Sequence, residues 1–314
     1  MKISIIILSF NNYRDTTGQC LSVLSADPDF ETWEVIVVDN ASDSETREQL
    51  EEAKHMYPGV HFIFNPINVG FAAGNNIGIK LATGDIFILL NSDAFPTPGM
   101  LSRLAGHLSH DTQLGMVGPV TNAAGNEQCI YSKTGNTEDK INEGLLYVAS
   151  GAHDVLSAYR LDFFCVAIPR PVIDITGLLD EDFGRGYYED LDYSLRVKAK
   201  KFKLGVAENV FVYHRGSTSF KQMPNEIKAL LKRNKRLIIK KHGARVIFHH
   251  VRQANLAILS QYLDKKISGV VVPDDRIANR LQLAKSNLPR SWLKRWRYLR
   301  SVAVLERRLT GKSS

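Results

Sequence analysis

The stretch from Ile86 to Asp93, with the sequence IFILLNSD, joins five apolar residues to an acidic end. An unbroken apolar run of this length predicts a strand that is buried on both faces, as in a parallel sheet. A charge at the end of such a strand is costly unless a partner neutralises it. Open α/β sheets bind ligands at the carboxyl ends of their strands, where a metal ion carrying a phosphate would suit Asp93. Alternatively, Asp93 caps a helix that begins near Pro96 and Pro98.

Similar apolar runs alternate with helix-like segments over the first 220 residues. This alternation predicts βαβ units and a Rossmann-like α/β fold with a mostly parallel central sheet flanked by helices. Strands are expected at 3–9, 34–39, 60–64, 86–90, 115–118 and 163–168, with short strands in 203–213. Helices are expected at 14–25, 44–57, 72–82, 98–110 and 189–201. The polar residues 121–150 predict an irregular, functional excursion, and the texture after 221 is helical and basic.

Charge is distributed unevenly along the 314 residues, whose net charge is +7. Residues 1–220 carry −11, since 17 Lys and Arg face 28 Asp and Glu, whereas residues 221–252 carry +9 and residues 289–314 carry +7. An acidic front part suits a divalent cation, and a basic back part suits an anionic surface.

Two further features bear on the cellular location. No apolar run approaches the roughly 18 residues of a membrane span, and the apolar start of the chain is too short for a signal peptide. The three cysteines Cys20, Cys129 and Cys165 match neither a zinc site nor a disulfide framework. We therefore expect a protein of the reducing cytoplasm.

The first two predicted strands end in candidate binding residues. After the first strand the chain reads Ser9-Phe10-Asn11-Asn12 and lacks Gly-x-Gly-x-x-Gly, which argues against an NAD enzyme. Asp39 ends the second strand, where its carboxylate can accept hydrogen bonds from a base or a ribose. Alternatively, Asp39 or Ser42 caps the following helix.

The glycines of the segment 68–76 allow a close backbone approach. Gly70 and Gly74 precede or open a helix whose free N–H groups can bind an anion. The alternative is a tight turn with close packing of the helix on the sheet.

Acidic residues cluster at the start of the helix predicted at 189–201. The helix dipole alone favours Glu189, Asp190 and Asp192 there, but a positioned carboxylate can also deprotonate a hydroxyl nucleophile. Glu189 and Asp192 are expected to share a face, with Asp190 pointing elsewhere. His214 ends the last strand and is either a metal or phosphate ligand or a structural histidine.

Six motifs occur in an order that resembles family 2 inverting glycosyltransferases of the GT-A fold, most closely the bacterial rhamnosyltransferase and galactofuranosyltransferase types. They are Ser9-Phe10-Asn11, Val38-Asp39-Asn40-Ala41-Ser42, Asn68-x-Gly70-Phe71, Leu90-Asn91-Ser92-Asp93, Glu189-Asp190-x-Asp192 and His214. The resemblance extends over about residues 2–220. It implies a catalytic domain at 1–220 that uses nucleotide sugars, followed by a basic helical region at 221–314.

The resemblance also implies roles for individual residues. Asp93 would bind Mg²⁺ or Mn²⁺ on the donor diphosphate, with His214 as a further metal or diphosphate ligand. Asp190 would be the general base, with Glu189 and Asp192 shaping the acceptor site. Residues expected to bind the nucleotide sugar are Ser9, Phe10, Asn11, Asp39, Asn68, Gly70, Asn75, Asn91 and Ser92.

The chain departs from the resembled family at residues 160–165, where Arg-Leu-Asp-Phe-Phe-Cys replaces a usually glycine-rich segment. The identity of the acceptor is therefore open. A base on one side of the anomeric carbon and a stabilised diphosphate on the other predict a single displacement with inversion, without a covalent intermediate.

The basic C-terminal segment 289–308 mixes aromatic residues with cations. Trp292, Trp296, Leu299 and Ala303 fall on one helical stripe, which resembles a helix lying on an anionic membrane. Alternatively, the tryptophans pack on their own domain. We expect a glycan or lipid-linked acceptor in the synthesis of cell-surface polysaccharide. Such an acceptor would make contact of the protein with the inner face of the plasma membrane sensible.

Two other functional classes are compatible with parts of the sequence. A metal-dependent nucleotidyltransferase would need a basic glycine-rich loop after the first strand, which Ser9-Phe10-Asn11-Asn12 does not supply. A non-catalytic nucleic-acid-binding protein would fit the basic region, but no recognition motif accompanies that charge, and no nucleic acid partner is expected.

Overall fold

The structure, a computed structural model, describes residues 1–133, 135–149, 155–216, 224–248 and 250–311. Nine strands belong to one sheet. In chain order they are β1 (Ile3–Ser9), β2 (Glu34–Asp39), β3 (Val60–Phe64), β4 (Ile86–Asn91), β5 (Ala94–Pro96), β6 (Leu114–Val120), β7 (Val155–Ser157), β8 (Cys165–Pro169) and β9 (Lys203–His214).

The strand order across the sheet is β3-β2-β1-β4-β8-β6-β9-β5, and β7 also pairs with β9. Strands β3, β2, β1 and β4 are mutually parallel, and β9 is parallel to β6. Strand β8 runs antiparallel to both β4 and β6. The predicted α/β class is confirmed, and the sheet is mixed, because β8 runs antiparallel to both its neighbours and β5 and β7 pair antiparallel with β9.

Helices cover both faces of this sheet and form the C-terminal region. They are α1 (Thr17–Ser25), α2 (Ser44–Met56), α3 (Phe71–Leu81), α4 (Met100–His110), α5 (Thr137–Ala149), α6 (Arg170–Thr176), α7 (Glu189–Ala199), α8 (Pro224–His242), α9 (Val251–Ile267), α10 (Asp274–Ser286) and α11 (Trp292–Thr310). Among the described residues, no helix has the length and apolarity needed to cross a bilayer.

Two local expectations were wrong. Residues 137–149 form α5 rather than an irregular excursion, because Ile141, Leu145 and Val148 recur at helical spacing and pack on the core. The predicted short strands of 203–213 are one continuous strand of 12 residues.

The apolar runs of the sequence form the centre of the sheet. In β1, Ile5, Ile6 and Ile7 are fully buried, because β1 lies between two strands and is covered on both faces. The run that ends at Asp93 forms β4, which is equally buried. Parallel pairing of β1 with β2 and β4 aligns the carboxyl ends of these strands along one edge.

A buried charge cluster joins the C-terminal helices to the sheet. Glu208 on β9 accepts hydrogen bonds from the hydroxyls of Tyr147 (2.6 Å) and Tyr262 (2.7 Å). It also forms ion pairs with Arg276 (3.3 Å) and Arg280 (2.9 Å) on α10. Buried charges need such complete pairing, so α5, α9 and α10 are fastened to β9 at one point.

The predicted boundary at 220/221 lies outside the described residues. On its C-terminal side, α9, α10 and α11 share an apolar cluster of their own, whereas α8 packs against the loop 183–188 and the start of α7.

Candidate active site

A cavity of about 1210 Å³ opens at the carboxyl edge of the sheet, where open α/β sheets bind their ligands. Its walls come from the ends of β1, β2, β4 and β9, the start of β8, the loop before α7, and α8. Nine of the predicted site residues line it: Phe10, Asn11, Asn68, Asn91, Ser92, Asp93, Glu189, Asp190 and His214.

Asp93 and His214 meet at this edge although 121 positions separate them in the sequence. His214 Nε2 lies 3.5 Å from Asp93 Oδ1, because β9 pairs with β5 immediately after Asp93. Helix α4 begins at Met100 with Gly99 as its N-cap, so Asp93 is not the cap of that helix.

Hydrogen bonds fix the orientation of the His214 ring. Its Nδ1 atom lies 2.9 Å from the carbonyl oxygen of Ala123, which can only accept, so Nδ1 carries a hydrogen. The ring also stacks on Phe164, with centroids 5.0 Å apart. Asn122 exchanges two hydrogen bonds with the backbone of His214 and holds the strand end in place.

This orientation turns Nε2 towards the Asp93 carboxylate. In a neutral imidazole with hydrogen on Nδ1, Nε2 is an acceptor, so two acceptors face each other unless a positive charge lies between them. Burial lowers the pKa of His214, but its hydrogen bond to Asp93 and the charge of Asp93 together raise that pKa above its ordinary value. The pair therefore calls for a proton or a metal cation.

A divalent cation fits this pair. The two ligand atoms are an oxygen and a nitrogen, and the second ring nitrogen is anchored by a carbonyl, as in many metal sites. Among the residues that the structure describes, no group of three His, Cys, Asp or Glu side chains suited to a metal occurs. The remaining coordination positions would fall to water and to phosphate oxygens of a ligand.

Asparagines form the floor of the cavity beside β2. Asn40 Nδ2 donates to Asn68 Oδ1 at 3.1 Å and to the carbonyl of Gly70 at 3.3 Å. The backbone N–H of Asn11 donates to Ser42 Oγ at 2.9 Å, which ties the ends of β1 and β2 together. These bonds give the cavity a rigid polar end.

Asp39 lies behind this floor and does not line the cavity. Its Oδ1 accepts a hydrogen bond from the N–H of Ser42 at 3.2 Å, whereas its buried Oδ2 has no hydrogen-bond partner and lies 3.9 Å from Arg47. The N-cap of α2 is Asp43, so neither Asp39 nor Ser42 caps that helix.

Three other predicted residues have structural contacts instead of cavity contacts. Ser9 is fully buried, with its hydroxyl 2.7 Å from that of Thr17. Asn75 donates to the carbonyl of Phe71 within α3. A Cβ at Gly74 would lie 2.4 Å from Leu8, so this glycine serves the close packing of α3 on β1, the alternative weighed for this glycine.

Gly70 lets the loop before α7 approach the end of β3. Its φ is +88°, and a Cβ there would lie 2.1 Å from the carbonyl oxygen of Gly184. Only a residue without a Cβ permits this contact between two backbones. The close backbone approach predicted at Gly70 is thus made by the loop before α7.

The same loop is strained just before the acidic cluster. Tyr187 and Tyr188 have φ of 71° and 76°, a left-handed conformation that is costly for bulky residues. Asn234 of α8 is fully buried and donates to the carbonyls of Phe183 (2.8 Å), Gly186 (2.8 Å) and Tyr187 (3.0 Å). Helix α8 therefore holds the loop in this conformation.

Glu189 and Asp190 open α7 and line the cavity. Burial raises the pKa of Glu189, and the charge of Asp190 raises it further. Partial burial raises the pKa of Asp190 too, with Arg160 opposing and Asp162 reinforcing the rise. Carboxyl groups that differ in this way from ordinary surface acids are suited to proton transfer.

Asp192 does not share the face of Glu189, contrary to expectation. Its carboxylate is 1% exposed and accepts from Arg196 Nε at 2.7 Å, and His242 Nε2 also lies 2.7 Å away. Glu189 and Asp190 line the cavity, whereas Asp192 contacts Arg196 and, on α8, His242. We assign Asp192 to the attachment of α7 to α8.

Arg160 and Asp162 line the cavity although no motif predicts them. They precede β8, and because β8 is antiparallel its beginning, rather than its end, lies at the active edge. Asp162 was not predicted, because the prediction considered polar residues that follow strands and Asp162 precedes one. Its only signal was its place directly before an apolar run.

Helix α8 forms one wall of the cavity, which the basic composition of residues 221–252 did not indicate. Ile227, Leu230 and Leu231 line the cavity, and Asn234 and Ile238 continue the same helical stripe into the protein. These residues recur at intervals of three and four positions, a spacing that indicates one buried face of a helix.

Comparison with known proteins supports one family. Residues 4–164 match the family described as glycosyl transferase family 2. A low-salt glycan biosynthesis hexosyltransferase, Agl10 of Haloferax volcanii, is 24% identical over 68% of this chain and 66% of its own length. The chain spans less than two thirds of the length of this and the other curated relatives considered.

Solved structures share the fold. The mannosyltransferase PcManGT of Pyrobaculum calidifontis, solved with GDP-Man and Mn²⁺, has a TM-score of 0.57 at 17% identity, covering 99% of this chain and 88% of its own. GalNAc-T7, solved with UDP, GalNAc and Mn²⁺, has a TM-score of 0.55 at 17% identity, covering 68% of this chain and 43% of its own.

Replacing Gly70 by alanine tests the contact that positions the loop. Gly70→Ala adds a Cβ clash to the cost of a positive φ, whereas Gly99→Ala, at φ +76° with open space around it, carries only the latter. We expect Gly99→Ala to lower the free energy of unfolding in urea by about 1–2 kcal/mol. Gly70→Ala should lower it by at least about 1 kcal/mol more. Equal losses would show that the approach of Gly184 does not constrain the loop.

Proposed function

Because the chain belongs to glycosyl transferase family 2, we propose that it transfers a hexose from a nucleoside-diphosphate sugar to a glycan or lipid-linked acceptor. One arrangement supports this proposal above others. The cation-seeking pair Asp93–His214 and the carboxyl group of Asp190 line the same cavity. The family assignment also favours this activity over nucleotidyl transfer or nucleic-acid binding.

The donor diphosphate would lie at Asp93 and His214. A Mg²⁺ or Mn²⁺ ion held there would stabilise, as a Lewis acid, the negative charge of the leaving nucleoside diphosphate. Asn11, Asn40 and Asn68 would face the nucleoside, since they form the polar end beside β2. Asp39, for which contact with the base was predicted, lies behind them and does not line the cavity, so its carboxylate would act on the base only through these asparagines.

Asp190 would act as general base on the acceptor. Its carboxylate takes the proton of an acceptor hydroxyl while that oxygen forms a bond to the anomeric carbon and the bond to the diphosphate breaks. Attack opposite the leaving group inverts the anomeric configuration in one displacement. Since the base must be ionised, the rate should fall as the pH drops through a pKa above the ordinary aspartate value of about 3.9.

The donor and the pathway are inferred from the motifs and the relatives. The order of motifs favours dTDP-rhamnose or a similar hexose donor, and Agl10 of Haloferax volcanii is named for glycan biosynthesis. We assign the protein to cell-surface polysaccharide synthesis in the cytoplasm, at the inner face of the plasma membrane.

A panel of donors combined with an Asp190→Asn variant tests the proposal. dTDP-rhamnose, UDP-galactofuranose, UDP-GlcNAc and GDP-mannose are added with Mn²⁺, because a ligand that binds the native state raises its melting temperature. We expect one donor to raise Tm equally in the wild type and in Asp190→Asn. Release of nucleoside diphosphate with glycan and lipid-linked acceptors should fall about 10²- to 10⁴-fold in that variant.

Asp264→Asn on the exposed face of α9 serves as the control and should react like the wild type. Near-normal turnover by Asp190→Asn would refute the base assignment. If no member of the panel raised Tm, the donor class would be wrong.

We also propose that α11 contacts an anionic membrane through the segment 289–308. Tyr298, Val302 and Leu309 pack into the C-terminal cluster, which leaves Trp292 77% exposed and Trp296 51% exposed. Trp292 therefore does not pack on its own domain, and about half of Trp296 stays exposed. Exposed aromatic residues among cations suit the headgroup region of an anionic bilayer.

Point variants test this surface without removing the buried face of α11. Trp292→Ser with Trp296→Ser should weaken flotation with phosphatidylglycerol-containing vesicles by at least about tenfold, because both rings lose their interfacial burial. Leu146→Ser on α5, 72% exposed, is the matched control. Unchanged flotation of the double variant, or equal binding to neutral vesicles, would contradict membrane contact through α11.

A further inference from the structure

The segment before β8 places a fixed ion pair in the cavity wall. Arg160 Nη2 lies 3.2 Å from Asp162 Oδ1, and each side chain is 21% exposed. Both residues line the cavity with Glu189 and Asp190. This pair occupies the segment that the resembled family usually fills with small residues.

Asp162 is held from the side that faces the protein. Its Oδ2 accepts the N–H of Gly125 at 3.0 Å, and its own N–H donates to Gln128 Oε1 at 2.7 Å. Gln128 is fully buried, so the anchor is rigid. The carboxylate therefore has a defined direction before any ligand arrives.

The position of Asp162 is central to the proposed reaction. Besides burial, the charge of Asp162 and a hydrogen bond with it raise the pKa of Asp190, and the charge of Asp162 also raises the pKa of His214. Asp162 lines the same cavity as the base and the cation pair, and Phe164, two residues further on, stacks on His214, so Asp162 lies beside the interval between base and cation pair. In a single displacement, the sugar that is transferred must occupy this interval, because its anomeric carbon joins the acceptor oxygen to the diphosphate.

Unsatisfied polar atoms surround the same interval. Arg160 Nε and Glu189 Oε2 are buried without a hydrogen-bond partner, and Asp162 Oδ1 has its ion-pair contact with Arg160 Nη2 but no hydrogen bond. Glu189 as a whole is only 7% exposed. Buried polar atoms are rarely left unpaired in a finished site. Sugar hydroxyls, which both donate and accept, would satisfy the guanidinium and the carboxylates alike.

On the basis of the proposed function, we propose that Asp162 accepts a hydrogen bond from a hydroxyl group of the transferred hexose. Arg160 is a positioning residue that keeps the Asp162 carboxylate directed at that hydroxyl. Arg160 and Asp162 would thus contribute to binding of the sugar part of the donor and not to binding of its nucleotide part. A site built to bind a hydroxyl in this way rejects donors that lack it.

Calorimetric titration separates sugar recognition from nucleotide recognition. Each donor of the panel and its free nucleoside diphosphate (UDP, dTDP or GDP) are titrated with Mn²⁺ into wild type, Asp162→Asn and the control Asp264→Asn. In Asp162→Asn we expect the Kd of the bound donor to rise about tenfold to hundredfold, as for a lost hydrogen bond to a charged group. The Kd of the free nucleoside diphosphate should stay within about twofold, which also verifies that the variant is folded.

Arg160→Gln tests the positioning role. It should weaken donor binding in the wild-type background but add little to Asp162→Asn, because it acts through the same carboxylate. An unchanged donor Kd in Asp162→Asn would refute the sugar contact. Equal weakening of donor and free diphosphate would place Asp162 at the diphosphate instead. If wild type bound none of the nucleotides, the proposed function would fail, and this assignment with it.

Discussion

The contact between Asp93 and His214 is the constraint on which the rest of the site depends. The carbonyl of Ala123 fixes hydrogen on Nδ1, so Nε2 faces a carboxylate and requires a positive charge between the two groups. The sheet supplies this contact because β4 and β9 both end at one edge, and β5 pairs with β9 directly after Asp93.

The opposite wall depends on contacts made far from the sheet. Gly70 admits the backbone of Gly184, and Asn234 of α8 holds the carbonyls that precede the left-handed Tyr187 and Tyr188. Strain of this kind persists only where its surroundings enforce it. Helix α8 of the basic C-terminal region therefore lines the cavity and holds the loop that forms its opposite wall.

The sequence allowed the fold class, most strand positions and the meeting of Asp93 with His214 to be predicted, because parallel strands align their carboxyl ends. It could not reveal Asp162, since that depends on the reversed direction of β8, which no apolar run encodes. Nor could it reveal that Asp192 pairs with Arg196 and with the distant His242 instead of lining the cavity. Short-range sequence patterns indicate which residues are buried. The direction of a strand and the packing of distant helices decide which side chains those residues contact.

Binding of free nucleoside diphosphate with and without metal tests the central claim most directly. Titration of UDP, dTDP and GDP into the wild type is compared in Mn²⁺ and in EDTA, and then repeated with Asp93→Asn. The cation requirement of the Asp93–His214 pair predicts binding that depends on Mn²⁺ and weakens at least about tenfold in the variant. Equal affinity in Mn²⁺ and EDTA, or an unaffected Asp93→Asn variant, would contradict it.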